Sequence, residues 1–127
     1  EISACLVGSD MCIRDSPNEA KAHERFLDCA HEFSYTAIGI LFDQKLIGYC
    51  TTVLLPGGKA NALFEKVDTD YHGIHSLLRN EVAKDHHTRG YPHLNYEQDL
   101  GIENLRRSKL AFNPSYFLKK YAVSHKK

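Results

Sequence analysis

Apolar residues recur at helical spacing at Ala22, Phe26, Cys29, Ala30 and Phe33, which predicts a helix over residues 17–33. Ser16, Pro17 and Glu19 supply a cap, a first-turn proline and the acid of a capping box for it. The period then changes. Residues 36–43 and 46–55 read as two strands around a tight turn at Gln44-Lys45, and the first is apolar on both faces, as an interior strand would be. Gly39 and Gly48 thin the packing of these strands and mark candidate bulges or close approaches. Pro56-Gly57-Gly58 is a break, and residues 61–67 form a third strand weighted by Leu63 and Phe64.

A polar turn, Asp68-Thr69-Asp70-Tyr71-His72-Gly73, leads into a helix over residues 74–87 with an inner stripe of Ile74, Leu77, Leu78 and Val82. Residues 93–96 predict a short strand. Asp99 is placed to cap a helix over residues 100–112, which Pro114 stops. Residues 116–123 predict a last strand, and 124–127 a solvated tail. The order helix, three strands, helix, strand, helix, strand predicts an α/β (α+β) fold: a mixed, largely antiparallel sheet flanked by helices.

Charge narrows the partners. Lys+Arg and Asp+Glu each number 16, so no global field draws the chain to nucleic acid or anionic lipid. No dense basic stripe with interleaved aromatics marks a nucleic-acid module. No run approaches the ~20 apolar residues of a membrane span, and no basic flank with an apolar core marks a signal peptide. Cys5, Cys12, Cys29 and Cys50 form no Cys-x-x-Cys pair, so a reducing, cytoplasmic setting is expected, with Cys29 and Cys50 filling core space.

Residues 1–16 fit poorly with the rest of the chain. The string from Cys5 to Ser16 resembles the conceptual translation of sequencing-adaptor DNA, and residues 1–16 are expected to be a non-native or disordered leader. Residues 17–123 then form one lobe.

The densest chemistry lies between Asn95 and Pro114. Arg106 and Lys109 sit three apart on one helix face, where two cations can hold phosphates or a carboxylate; a solvated basic face is the plainer alternative. Glu97 and Asp99 are two apart and would share a face on a strand, as a pair able to act as general base for an attacking amine; a cap and a surface acid are the plainer alternative. Asp68 and Asp70 would repel a diphosphate at the turn before Gly73. His72, His75, Asp85, His86 and His87 do not converge by spacing, so no metal is expected.

The run Asn95-Tyr96-Glu97-Gln98-Asp99-Leu100-Gly101-Ile102-Glu103-Asn104-Leu105-Arg106, with Lys109, Pro114 and Lys120-Tyr121 after it, resembles the carboxy-terminal signature of the phosphatidylglycerol lysyltransferase C-terminal-like family. Asn104 stands where that family usually carries Gly. Phe64-Glu65-Lys66-Val67-Asp68 and Tyr71-x-Gly73 also resemble its strand and turn, so the likeness covers roughly residues 36–123. It implies a GNAT-like acyltransferase fold related to the Fem-type aminoacyl transferases, with this chain as about the second of two lobes. It implies transfer of an acyl or aminoacyl group to an amine or lipid headgroup. Glu97 and Asp99 would be catalytic, and Arg106, Lys109, Asn95 and Gly73 would bind substrate. The donor would be aminoacyl-tRNA rather than acyl-coenzyme A, with no permanent cofactor. A missing amino-terminal lobe or a second copy would be the protein partner, and the lobe alone would be inactive. The competing expectation is a non-catalytic lobe that binds an anionic ligand or partner.

Overall fold

The structure is a computed structural model that describes residues 17–99 and 101–127. The expected leader and the Ser16 cap lie outside the described residues. The chain forms two compact units, one through Glu97 and one from Gln98 to Lys127.

The first unit contains α1 (Pro17–Cys29), a 3₁₀ turn (Ala30–Glu32), β1 (Tyr35–Phe42), β2 (Lys45–Leu55), β3 (Lys59–Val67), α2 (Ile74–Thr88) and β4 (His93–Asn95). The sheet order is β1-β2-β3-β4, antiparallel except for the parallel β3–β4 pair. Phe42 pairs with Lys45, so the hairpin turn is Asp43-Gln44, one residue earlier than the sequence predicts. Both turn residues have positive φ, 48° and 63°, the geometry that matches the twist of a two-residue hairpin.

The sheet has a helix on each face. Along β3, alternation turns Phe64 and Lys66 toward α1 and Glu65 and Val67 toward α2. On the α1 side, His23 stacks on Phe64 with ring centroids 3.7 Å apart, and Lys66 Nζ meets Glu19 Oε1 at 2.8 Å. His23 gives its Nδ1–H to the Glu19 carbonyl, which leaves Nε2 to accept the Tyr49 hydroxyl at 3.0 Å. On the α2 side, Ile47, Cys50, Ala62 and Val67 pack with Ile74, Leu78 and Val82 as the core.

Two expectations are corrected here. β1 is an edge strand of the described sheet, with Leu41 and Phe42 exposed. Its two-faced apolarity arises because Ile38 and Ile40 pack on the core while small Ala37 and Gly39 occupy the other face. The two glycines sit where the sequence suggests a bulge or a close approach: Ile47 is left over directly beside Gly48, between Ile40↔Gly48 and Leu41↔Leu46, and a Cβ at Gly39 would lie 2.9 Å from Leu46 Cδ1. A second bulge leaves Leu63 over between Thr51↔Phe64 and Thr52↔Ala62. Finally, Leu77 is exposed, because the buried arc of α2 runs along Ile74, Leu78, Val82 and His86 and drifts toward Arg79. His86 joins the core by giving its Nδ1–H to the Val82 carbonyl at 2.7 Å.

The second unit contains α3 (Glu103–Leu110), capped at Ile102 rather than at Asp99. The expected strand over residues 116–123 does not form. Its apolar residues favour a strand, but propensity alone does not supply the ladder partner that a strand's backbone groups need.

Candidate functional site

β3 and β4 pair only through Lys59↔His93, Ala60↔Leu94 and Asn61↔Asn95. β3 then continues to Val67 with no β4 partner on that side, bent at the Leu63 bulge. The strands therefore part, and on the face of β3 that packs on α2 polar groups of the helix meet Glu65. Arg79 directs Nε to Glu65 Oε1 at 3.1 Å and Oε2 at 3.4 Å. Its guanidinium lies 4.9 Å from the centre of the Tyr96 ring, directly after β4. His75, one turn earlier on α2, meets Glu65 Oε1 through Nδ1 at 3.2 Å.

Both charges of the Glu65–Arg79 pair are withdrawn from water, with side chains 11 % and 8 % exposed, so each depends on the other. His75 is only partly covered, at 35 %. The enclosure acts on its neighbours. Burial, and next the Glu65 carboxylate, push the Cys50 thiol up to about 11. The same two causes, in the same order, push the Tyr96 phenol well above its ordinary range.

The turn before α2 is closed by Asp68. Its Oδ2 takes Lys45 Nζ at 3.0 Å, its Oδ1 accepts the Asp70 N–H at 3.2 Å, and its carbonyl accepts the Tyr71 N–H at 3.2 Å. The Lys45 hydrogen bond, and then the Asp70 N–H, hold the Asp68 carboxyl below the usual range. The sequence set two carboxylates against a diphosphate here; the structure offsets one with Lys45. Gly73, at φ 77°, enters α2 in the left-handed region without a side-chain cap, and the first turn carries no acid. This end of a 15-residue helix is suited to an anion.

Asn95 and Glu97 are brought together beside β3. Asn95 Oδ1 accepts the Glu97 N–H at 3.0 Å, Glu97 holds φ 59°, and its Oε1 accepts from Asn61 Nδ2. Asp99 is engaged within the second unit. Its Oδ1 accepts the Gly101 N–H at 2.9 Å, an Asx turn, and its carboxylate pairs with the Arg106 guanidinium. The Arg106 hydrogen bond, then the Gly101 N–H, keep its carboxyl below the usual range. Lys109 Nζ donates to the Gln98 carbonyl at 2.8 Å, and Lys120 Nζ to Gln98 Oε1 at 3.0 Å. Arg106 and Lys109 thus share a helix face, as the spacing predicts, and both reach back to residues 98 and 99. Glu97 and Asp99 each bond within their own unit, Glu97 to Asn61 and Asn95, and Asp99 to Gly101 and Arg106.

Glu65, His75 and Arg79 were not singled out together by the sequence. His75 and Arg79 lie four apart on one helix row, but the Glu65 that joins them comes from another element. Among the described residues, no three of His, Cys, Asp and Glu converge as a metal ion would require. No described helix is long and apolar enough to cross a membrane.

No protein-family model and no curated protein sequence matches the chain. Solved structures do. A conserved protein of unknown function from Bacteroides thetaiotaomicron superposes with a TM-score of 0.75 at 24 % identity, over 91 % of this chain and 41 % of its own. The chain therefore spans about two fifths of that protein's length. An aminoglycoside acetyltransferase from an uncultured soil metagenomic sample, in complex with sisomicin, gives 0.63 at 15 % identity, over 82 % of this chain and 73 % of its own. A ribosomal-protein-alanine N-acetyltransferase from Brucella melitensis gives 0.58 at 18 % identity, over 74 % of this chain and 68 % of its own. At these identities the likeness establishes the fold, which is that of the GNAT acetyltransferases.

Proposed function

We propose that the chain supports transfer of an acyl group from an activated donor to a primary amine. The observation that carries this reading is the parting of β3 and β4 beyond Asn61↔Asn95, with the uncapped amino end of α2 close by in sequence after β3. The unpartnered side of β3 presents backbone N–H groups that can stabilise the oxyanion of an attacked acyl carbon, in a setting that needs no reorganisation. The α2 terminus and Gly73 suit the phosphates of an acyl-coenzyme A. The Lys45–Asp68 pair removes part of the repulsion that favoured another donor. The names of the similar acetyltransferases point the same way.

In this reading Asn95 orients Glu97, and Glu97 with Asn61 receives the acceptor's amine. Asp99 shapes the turn that leads to α3, while Arg106 and Lys109 stabilise that turn and present positive charge to an anionic part of a substrate. An aminoacyl-tRNA donor and a lipid-headgroup acceptor, implied by the lysyltransferase resemblance, would use the same attack on an ester instead of a thioester.

Calorimetric titration of the chain with acetyl-coenzyme A and, separately, with lysyl-tRNA tests the donor. Thiol release from acetyl-coenzyme A in the presence of sisomicin, free lysine or phosphatidylethanolamine vesicles tests transfer. Saturable acetyl-coenzyme A binding with amine-dependent thiol release is expected. Binding of tRNA alone would shift the reading to aminoacyl transfer, and binding of neither donor would leave a non-catalytic lobe.

A further inference from the structure

We propose that His75 is the proton acceptor for the incoming amine, held in its working tautomer by Glu65, which Arg79 fixes in turn. This rests on the acyl-transfer reading and assigns its acid–base group. A carboxylate oxygen can only accept, so the 3.2 Å contact between His75 Nδ1 and Glu65 Oε1 requires the proton on Nδ1. Nε2 is then the basic nitrogen, on a ring that keeps 35 % of its surface exposed. Arg79 Nε faces both Glu65 oxygens at 3.1 and 3.4 Å, which fixes the carboxylate in place. That fixed carboxylate orients the imidazole and faces it where positive charge develops as the ring takes a proton. Arg79 also rests on Tyr96, tying the three residues to both parting strands.

The step balances with the amine entering in its neutral form. The nitrogen lone pair attacks the acyl carbon of the thioester, and a C–N bond forms. His75 Nε2 takes the proton that the nitrogen sheds. The C–S bond then breaks, and His75 returns this proton to the thiolate as it leaves. The products are an amide and a thiol, with His75 neutral again. No oxidant, reductant or metal enters.

Two measurements on the full chain test this. The first is nitrogen-15 NMR of the imidazoles, with the His75 signals identified by their loss in His75→Gln. Protonated Nδ1 and unprotonated Nε2 are expected for the neutral ring, with tautomer exchange restored in Glu65→Gln; a ring protonated on Nε2 would overturn the proposal. The second is the pH profile of thiol release from acetyl-coenzyme A with an amine that the wild type accepts. His75→Gln is expected to lower kcat about 100-fold or more and to abolish the acidic limb, with KM for acetyl-coenzyme A unchanged. Wild-type turnover with His75→Gln equally active would overturn the role of His75 and leave acyl transfer standing. Acetyl-coenzyme A binding without wild-type turnover on any amine would instead overturn transfer, and His75's role with it.

Discussion

Glu65 and Arg79 form an ion pair between β3 and α2, with Nε–Oε1 at 3.1 Å and both side chains about nine-tenths covered. Desolvating two charges costs several kcal/mol, which their attraction roughly offsets, so the pair contributes position more than stability. Removing one partner exposes that balance. Arg79→Met is expected to destabilise the chain by about 3 kcal/mol, because it strands a carboxylate. The double variant Glu65→Leu, Arg79→Met should recover most of this loss. Urea unfolding followed by circular dichroism reads both, and equal losses in the single and double variants would refute the coupling.

Lys45 and Asp68 give the turn before α2 a dependence on acid. The folded Asp68 carboxyl lies below its ordinary 3.8, so the folded state favours the carboxylate. The resulting stabilisation is present above about pH 4 and is lost as pH falls through the folded value. In Lys45→Ala the Asp68 carboxyl should titrate closer to 3.8 in a carbon-detected NMR titration. Because the Lys45 side chain is half exposed, the difference between wild type and variant should shrink at 1 M salt.

Cys50 responds to alkali in the opposite sense. Its folded value of about 11 exceeds the free thiol's 9.0, so stability is fully present below pH 9 and falls between pH 9 and 11 as the unfolded chain ionises. The full loss is at most about 2–3 kcal/mol. At pH 8, iodoacetamide should label Cys29, which is partly exposed, far faster than Cys50. Peptide mass mapping after timed quenching gives the two rates. Comparable labelling of Cys50 in the folded chain would contradict its burial.

Asp99 and Arg106 close the turn ahead of α3. Asp99→Asn keeps the side-chain acceptor for Gly101 but loses the charge, whereas Asp99→Ala loses both. Hydrogen exchange over residues 103–110 should therefore quicken slightly in the first variant and by about fivefold in the second, as for loss of ~1 kcal/mol of hydrogen bonding in the turn that leads into the helix. Protection unchanged in both would mean that the turn does not support α3.

The pattern of apolar positions determined most elements of the first unit by itself. Apolar runs around a tight turn marked β1 and β2, Leu63 and Phe64 marked β3, and Pro56-Gly57-Gly58 placed the connection between β2 and β3. Helical spacing gave α1 and α2, since burial of one face is enough to select the period. Arg106 and Lys109 were legible as one face of α3 for the same reason. What the sequence could not supply was pairing between distant residues. It placed Leu77 inside α2, because a stripe read from one helix does not say which way the helix rolls on its sheet. It made residues 116–123 a strand, because propensity does not provide a ladder partner. It could not supply the partners of Glu97 and Asp99, which are Asn61 and Arg106. Glu65, His75 and Arg79 are ordinary surface-type residues along the chain. Only the packing of α2 over β3 removes Glu65 and Arg79 from water and turns His75 toward them, and that long-range contact is a property of the tertiary structure alone.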